Sequence, residues 1–252
     1  QTLKEYPMKL KTAFVAADYT CSPGAARSKL DYYFIPAEFL KAEYMEQGIP
    51  GNKIVATGIP VRREFYTGTT KEAAKRKLGI DPANTHLLVM CGSMGCGPLE
   101  KLTKLLAKQM DGSMALSIVC GTNKKLKEEL TEKFGSASNI HVYGFVQDMN
   151  AMMDSADLYL TKPGGLSTTE AAAKRLPMVF IDAVAGCEEY NLNYFVSIGG
   201  AVTADEPEDL ARLCIRLIKD SPKRKAMASA LAASIPKNAA QQIYDVMKED
   251  DP

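Results

Sequence analysis

The sequence lacks an excess of charge, a long hydrophobic run and closely paired cysteines, and each absence excludes a class of protein. Its 31 lysines and arginines nearly balance its 30 aspartates and glutamates, for a formal net charge of +1, so the chain has no overall field that would attract nucleic acid. No stretch approaches the roughly 20 consecutive apolar residues that span a bilayer. The six cysteines include no CxxC pair, and several lie in apolar runs, which indicates reduced, buried thiols in a cytosolic protein. A contact with a membrane would therefore be made from the protein surface.

Groups suited to catalysis are also scarce. The chain has two histidines, His86 and His141, and each lies inside an apolar strand pattern, which predicts a core residue rather than a general base. No metal-ligand spacing, no Ser/His/Asp arrangement and no GxxxxGK[ST] phosphate loop is present. Asp18, at the end of the first predicted strand, is the best-placed carboxylate in the front of the chain. The sequence alone therefore assigns no catalytic residue and no metal site.

Short β-branched and apolar runs alternate with longer helical patterns along the whole chain, which predicts an α/β fold with a parallel sheet. Residues 1–66 contain three predicted strands and one clear helix, too few elements for an independent domain. Residues 67–235 contain about six strands with intervening helices, the content of one complete doubly wound, Rossmann-like nucleotide-binding domain. Breaks at Pro222 and Pro236 divide the last helices. Residues 236–252 are predicted as a C-terminal helix that returns to the first segment.

The strongest local signal is the segment TKPGGLSTTE, residues 161–170, which is predicted to follow a strand and to open a helix. Its two glycines let the backbone approach an anion closely, and the helix start offers unpaired N–H groups and the positive end of its dipole. Ser167 and Thr168 add hydroxyl donors, and Glu170, one turn into the helix, is placed to accept hydrogen bonds from a ribose diol. The alternative is a tight βα turn with a capping hydroxyl, in which Glu170 only complements the helix dipole.

A second glycine turn, CGSMGCG at residues 91–97, ends the first predicted strand of the same block. Parallel α/β sheets bind ligands at the carboxyl ends of their strands, so two glycine turns at one edge favour a binding site there. The turn partly resembles a dinucleotide fingerprint, but the next strand closes in CGTN, residues 120–123, without the acidic residue that would hold a ribose. This argues against a nicotinamide cofactor. Packing of the two turns without any ligand is the alternative.

Two further segments are placed to contact a nucleotide sugar. Phe145 and Val146 follow the third strand of the block, where an apolar side chain and free backbone groups suit a flat base; the alternative is an ordinary strand exit. The segment GCEEYN, residues 186–191, begins a later helix with two carboxylates and an amide that suit sugar hydroxyls. The alternative there is a solvated helix start.

Five segments, in this order, carry a resemblance to a known family: GIPVRREF, CGSMGCG, VCGTN, YGFVQDMNAMMDSADLYLTKPGGLSTTEAAAKRLPMVF and AGCEEYN. They resemble the diacylglycerol glycosyltransferases, which include plant monogalactosyldiacylglycerol synthases and bacterial processive diacylglycerol glucosyltransferases, and they are similar to the peptidoglycan N-acetylglucosaminyltransferase. The resemblance implies a GT-B architecture, in which a C-terminal Rossmann-like domain binds the UDP-sugar and an N-terminal one binds the lipid acceptor. The chain joins this pattern at KTAFVAADYTCSP, so we expect a complete donor domain and, in residues 1–66, only the last part of the acceptor domain.

The resemblance also implies a role for each residue of the site. The residues would be Gly164, Gly165, Leu166, Ser167 and Thr168 for the diphosphate, Glu170 for the ribose, Phe145 and Val146 for the uracil, Gly92, Ser93 and Gly95 for the cleft loop, and Cys187, Glu188 and Asn191 for the hexose. In the family the last motif usually reads PGQE, whereas here Ala185 and Cys187 stand in place of the proline and the glutamine, which leaves the donor hexose open. No cofactor is implied, because the UDP-sugar is the donor substrate. No metal is implied either, because the helix start would supply the positive charge for the departing diphosphate.

The function that the resemblance implies is transfer of a hexose from a UDP-sugar to diacylglycerol or a related membrane lipid, by an inverting, metal-independent enzyme. Such an enzyme would be cytoplasmic and peripheral, on the cytoplasmic face of the membrane, and its partners would be the UDP-sugar, the lipid and the membrane surface, with no nucleic acid. Family members have an upstream Gly-rich loop and a histidine that contribute to acceptor binding and catalysis, so no base is assigned here. Three alternatives stay open: a peptidoglycan-type UDP-N-acetylglucosamine transferase, a UDP-sugar 2-epimerase, and a truncated, non-catalytic UDP-sugar-binding module.

Overall fold

The computed structural model describes residues 10–92, 98–181 and 186–249. The chain divides into two compact units, one formed by the residues up to Pro60 together with those from Pro236, and the other formed by Val61–Ile235. The first division falls after residue 60 rather than after the predicted residue 66. The reason is that the 3-10 helix Arg63–Phe65 contacts a helix of the second unit and that the Phe65 side chain is fully buried.

The first unit contains a three-stranded parallel sheet. Its strands are Ala13–Val15 (β1), Tyr32–Ile35 (β2) and Ile54–Ala56 (β3). They lie in the order β1-β2-β3, and both strand pairs are parallel. The predicted helix after β2 is a 3-10 turn followed by the α-helix Lys41–Glu46 (α1), which buries Tyr44 in a small apolar core with residues of β2 and β3.

The C-terminal segment groups with the first unit because it contacts both ends of this unit's chain. Lys11 Nζ donates to the Met247 carbonyl at 2.8 Å. Gly58, after β3, has a φ of 88°, and a Cβ on it would lie 3.2 Å from side-chain carbons of Pro236. Glycine is therefore favoured at this position both by the left-handed backbone and by the close approach of the two segments.

The second unit contains a six-stranded parallel sheet with helices between its strands. The strands are Thr85–Met90 (β4), Met114–Val119 (β5), Ile140–Tyr143 (β6), Leu158–Thr161 (β7), Met178–Phe180 (β8) and Ala201–Thr203 (β9). The helices are Lys71–Lys77 (α2), Leu99–Gln109 (α3), Lys124–Phe134 (α4), Met149–Ser155 (α5), Gly165–Ala173 (α6), Cys187–Ser197 (α7), Pro207–Lys219 (α8) and Ser221–Ser234 (α9), and Ala239–Glu249 of the first unit is α10. The strand order is β6-β5-β4-β7-β8-β9, and the strand pairs are parallel. The predicted α/β class with a doubly wound parallel sheet is confirmed.

The central strands are buried on both sides, which explains their continuous apolar runs. Every residue of β5 is buried, and β4 buries Leu87, Leu88 and Val89. Helices that cover both faces of a parallel sheet remove the need for an alternating polar side. The main core cluster joins these strands to leucines of α3 and α8.

Local sequence signals set several helix ends. Thr70 Oγ1 accepts from the Ala73 N–H at 3.3 Å at the start of α2, which satisfies one of the donors that a helix start leaves unpaired. Pro222 lies in the first turn of α9, and Pro236 follows the end of that helix, as the sequence predicts. Within residues 10–92, 98–181 and 186–249, no helix is both long enough and apolar enough to cross a bilayer.

The sequence predicted two core histidines, and the structure buries one of them completely. His86, in β4, is fully buried, with its Nε2 at 2.8 Å from Ser117 Oγ and its Nδ1 at 3.1 Å from Ser155 Oγ. Both ring nitrogens therefore have hydroxyl partners. Burial lowers the pKa of His86 to about 4, so the ring is neutral at pH 7. His141 is only partly buried, because it lies in β6, an edge strand of the sheet.

Candidate functional site

Four neighbouring strands end at the same edge of the six-stranded sheet. β4 pairs with β5 on one side and with β7 on the other, and β6 lies beyond β5. The strand order therefore reverses between β4 and β7, and open α/β sheets bind ligands in the crevice beyond the carboxyl ends of the strands at such a switch point. Predicted site residues follow these strands: Gly92 comes after β4, Phe145 after β6 and Gly164 after β7.

The first turn of α6 has no side-chain cap. Its N-cap residue, Gly164, has an extended backbone with φ −73° and ψ 134°, and its side-chain position offers no acceptor to the amides of residues 165–167. These amides lie at the positive end of the helix dipole. Among the described residues, a Cβ added at Gly164 would contact only Ser167 Oγ, at 3.5 Å, so protein packing alone does not require glycine there. The space in front of Gly164 suits the close approach of an anion to the helix start.

The hydroxyl groups of the same turn bond inward to the helix. Thr168 is fully buried, and both its Oγ1 and its N–H donate to the Gly164 carbonyl, at 2.8 and 3.0 Å. Ser167 is partly buried, with its Oγ 3.3 Å from the same carbonyl. Of the five residues predicted for the diphosphate, Thr168 thus has both of its donors engaged within the helix. The amides of residues 165–167 are the donors that the turn presents to an anion.

Glu170, on α6, lies near Arg62, a residue for which the sequence predicted no role. Its Oε1 is 4.0 Å from Nη2 of Arg62, whose Nη1 is 3.0 Å from Oε1 of Glu64. The Arg62 guanidinium also lies 5.1 Å from the centroid of the Phe65 ring, within the range of a cation–π contact. Partial burial raises the pKa of the Glu170 carboxyl, and the Arg62 charge opposes that rise. The sequence feature that could have identified Arg62 as a site residue is the pair of arginines in the GIPVRREF motif.

A cavity of about 420 Å³ lies beyond the carboxyl ends of β4 and β5. Met90 and Val119, the last residues of these strands, form part of its wall, together with Arg62. The remaining wall includes Phe145 and Val146, and the Phe145 side chain is 66% exposed. An exposed aromatic ring beside a partly apolar cavity offers a contact surface for a flat base. The structure therefore brings the two residues predicted for uracil together with Arg62.

The segment predicted to face a hexose begins α7. Gly186 is the N-cap residue and has a φ of 109°, a conformation that favours glycine. Cys187 is exposed in the first turn, and Glu188 beside it is partly buried. Asn191 is completely buried, and its Nδ2 donates to the Pro163 carbonyl at 3.0 Å. The Asn191 side chain therefore supports the loop that precedes α6, and its contact with a sugar stays a prediction.

Comparison with known proteins identifies the family. A family model described as glycosyl transferases group 1 matches residues 98–232, more than half of the chain. The chain belongs to this family. A second model, described as monogalactosyldiacylglycerol (MGDG) synthase, matches residues 2–61.

This glycosyl transferases group 1 member is similar to curated processive diacylglycerol β-glucosyltransferases. It is 30% identical to the one from Staphylococcus saprophyticus subsp. saprophyticus over 233 residues, which cover 92% of this chain and 59% of the relative. It is 28% identical to the one from Staphylococcus aureus strain Newman over 242 residues, which cover 95% of this chain and 61% of the relative. The chain thus spans about three fifths of the length of the curated relatives it matches. The predicted resemblance to the diacylglycerol glycosyltransferases is confirmed.

Solved structures with low sequence identity share the fold. Acinetobacter baumannii MurG is 18% identical with a TM-score of 0.70, and the match covers 98% of this chain and 69% of that one. WaaG, a glycosyltransferase involved in lipopolysaccharide biosynthesis, is 18% identical with a TM-score of 0.63, and the match covers 98% of this chain and 80% of that one. At these identities the likeness concerns the fold alone, and it confirms the predicted GT-B, Rossmann-like class.

The cleft loop predicted after β4 is described only at its start. Gly92 is exposed and has a φ of 73°, so it turns the chain directly after the strand. Ser93 and Gly95 lie outside the described residues. The roles predicted for this loop therefore stay predictions, as do the individual ligand contacts of the other site residues.

Proposed function

We propose that this protein is a UDP-sugar-dependent transferase that moves a hexose to diacylglycerol or a related membrane lipid. The observation that carries the proposal is the uncapped start of α6 at the switch point of the sheet. Support also comes from the curated relatives, which are named processive diacylglycerol β-glucosyltransferases and match more than nine tenths of this chain. The match of residues 2–61 to the MGDG synthase model supports the same class of acceptor.

In this proposal the nucleotide lies along the sheet edge from β6 to β7. The uracil packs on the exposed Phe145 ring, and the ribose hydroxyls donate to the Glu170 carboxylate. The diphosphate accepts from the amides of residues 165–167. Arg62 is part of the wall of the 420 Å³ cavity and lies 4.0 Å from Glu170 on α6. A single nucleotide therefore reaches both the cavity and the start of α6. The hexose then extends toward the exposed first turn of α7.

The proposed reaction exchanges one bond at the anomeric carbon of the sugar for another. The acceptor hydroxyl oxygen attacks this carbon, the bond from the carbon to the phosphate oxygen breaks, and its electron pair leaves with UDP. Direct displacement inverts the anomeric configuration. Oriented amides at a helix start stabilise the charge that develops on the leaving diphosphate, without having to reorganise. The hydroxyl proton passes to a general base, to which we assign no residue of this chain.

A diacylglycerol acceptor places the reaction at a membrane surface. The acyl chains keep this lipid in the bilayer, because each buried methylene contributes about 0.8 kcal/mol to its retention. The transferase therefore has to reach the hydroxyl from the water side. We propose peripheral association with the cytoplasmic face, where the protein meets both the lipid and the UDP-sugar.

The test is a transfer assay with the protein that carries this sequence and with diacylglycerol in mixed micelles. UDP-glucose, UDP-galactose and UDP-N-acetylglucosamine are compared as donors, the lipid products are identified by mass spectrometry, and UDP binding is measured by calorimetry. We expect UDP binding and a glycolipid from one of the two hexose donors. UDP binding with no glycolipid from any donor would leave a UDP-sugar-binding module, and a 2-epimerised sugar would indicate an epimerase. Either outcome removes the transferase proposal.

A further inference from the structure

A second cavity, of about 180 Å³, lies at the opposite edge of the six-stranded sheet. Two of its wall residues, Asp157 and Pro177, directly precede β7 and β8, which places the cavity at the amino-terminal edge of these strands. Ser221, the first residue of α9, is also part of the wall. The cavity is therefore separate from the site at the carboxyl edge.

The wall of this cavity carries a local excess of positive charge. It contains four cations, Lys71, Arg175, Arg224 and Lys225, and one carboxylate, Asp157. The whole chain has a formal net charge of only +1, so this concentration is not a consequence of composition. Clusters of positive charge in a concave, partly desolvated wall attract anions more strongly than the same charges spread over a surface.

The carboxylate does not neutralise this excess. Asp157 is already paired with two lysines, since its Oδ1 lies 2.6 Å from Lys71 Nζ and its Oδ2 lies 3.0 Å from Lys75 Nζ. Arg175 and Lys225 are exposed, and among the described residues neither side chain forms an ion pair. The charges of Arg175 and Lys225 are therefore available to a ligand.

Arg175 occupies a backbone position that ordinarily favours glycine. Its φ is 55°, its N–H donates to the Ala172 carbonyl at 2.9 Å, and the Leu176 N–H donates to the Ala171 carbonyl at 3.0 Å. These two bonds form a Schellman motif at the end of α6, whose left-handed residue is usually glycine. The motif holds the base of the Arg175 side chain at the cavity, although a residue with a Cβ is strained in this conformation.

We propose that this cavity binds a phosphate group. Guanidinium and ammonium groups on one wall make charge-assisted hydrogen bonds to phosphate oxygens, and the Ser221 hydroxyl supplies a neutral donor. The volume of about 180 Å³ is below the roughly 300 Å³ at which pockets for drug-sized ligands begin, so it suits a phosphate group rather than a whole nucleotide. The phosphate belongs either to a soluble phosphate ester or to a lipid headgroup.

The test follows amide NMR signals near Arg175 and Lys225 while inorganic phosphate is added at constant ionic strength. We expect saturable shifts there, and a rise of the dissociation constant of about tenfold or more in the double variant Arg175→Gly/Lys225→Gln, because two charge-assisted contacts are lost. Glycine at residue 175 suits the left-handed backbone, so loss of binding would not reflect unfolding. The matched control, Lys108→Gln/Lys125→Gln, removes the same charge from exposed helix positions and should bind phosphate as the unmodified chain does. No saturable shift, or an equal loss in the control, would overturn the site.

Flotation with phosphatidylcholine vesicles that contain or lack phosphatidic acid distinguishes a lipid headgroup from a soluble phosphate ester as the source of the phosphate. A loss of binding to the phosphatidic acid vesicles in the double variant, but not in the control, assigns the site to a lipid headgroup. Unchanged vesicle binding together with a lost inorganic phosphate response assigns it to a soluble phosphate ester. If the double variant changes neither measurement, the cavity does not bind phosphate.

Discussion

Acid should destabilise this protein in a pH window that is set by His86. Burial, the largest cause, lowers the pKa of this histidine from 6.5 to about 4, and the neighbouring Lys75 and His141 charges act in the same direction, whereas Ser155 and Asp157 oppose it. Between these two pKa values the unfolded chain binds a proton at His86 and the folded chain does not. Protonation of His86 therefore costs no stability above pH 6.5, and the free energy of unfolding decreases as the pH falls from 6.5 toward 4.

The size of this effect follows from the gap between the two pKa values. At about 1.4 kcal/mol for each pH unit, the gap corresponds to a loss of about 3 kcal/mol of unfolding free energy. That is a large fraction of the roughly 5–15 kcal/mol by which proteins are stable. Asp157 titrates at lower pH than this window. Burial alone would raise the pKa of its carboxyl, but the nearby lysines Lys71 and Lys75 hold that pKa below 3.8. Its contribution is lost only below the window of His86.

Urea unfolding, measured by circular dichroism from about pH 7 to about pH 4, tests this reasoning. His86→Gln keeps hydrogen-bonding groups but cannot titrate, so its unfolding free energy should be lower at pH 7 and nearly flat across the window. His141→Gln, which replaces the partly exposed histidine, is the control and should keep most of the slope. An unmodified protein with no slope in this window, or a His86→Gln variant that keeps the full slope, would refute the argument.

Three further predictions concern the candidate nucleotide site. Phe145→Ala should weaken UDP binding about tenfold or more, because stacking of a base on an aromatic ring contributes roughly 1–3 kcal/mol, and it should leave thermal stability unchanged. The affinities are measured by calorimetry, with Tyr244→Ala as the control that removes another exposed ring. Equal UDP affinity in the two variants would contradict the base site. Glu170→Gln should weaken the binding of UDP more than the binding of its 2′-deoxy analogue, since an acceptor for the ribose hydroxyls is lost. An equal loss of affinity for the two ligands would mean that the carboxylate does not contact the 2′-hydroxyl. Asn191→Ala leaves the buried Pro163 carbonyl without its Nδ2 donor, so we expect a loss of about 1–3 kcal/mol in unfolding free energy. The substitution should also weaken the binding of UDP more than it weakens the binding of uridine, which has no diphosphate. An equal loss of affinity for the two ligands would argue against a role of Asn191 in holding the phosphate loop.

Local patterns were sufficient to predict the class of fold and the positions of the turns. The helix ends at Thr70 and around Pro222 and Pro236 depend on backbone donors within one turn of those residues, so nearby sequence decides them. The continuous apolar run of β5 similarly predicts a strand covered on both sides. The ordered motifs added the family, which the comparison with known proteins confirms.

The features that the sequence did not predict depend on contacts between distant segments. Arg62 acquires a place in the site only because the chain after Pro60 packs on α6, and the same packing moves the boundary between the units. Thr168 and Asn191 have the residue types of ligand contacts, yet both are buried and donate to carbonyls of the loop region around α6. Whether a polar side chain at a helix start faces a ligand or the interior depends on the neighbour that covers it.

Local sequence specifies which segments of this protein are strands, helices and glycine turns, because these depend on side chains and backbone groups a few residues apart. The position of β4 between β5 and β7 is a result of tertiary packing, and it makes the turns after β4 and β7 neighbours at the switch point of the sheet. Tertiary packing also decided that the basic side chains around Arg175 surround a cavity at the opposite edge. The physical reason is that strand order results from packing of side chains contributed by distant segments, and no local pattern specifies which strand pairs with which.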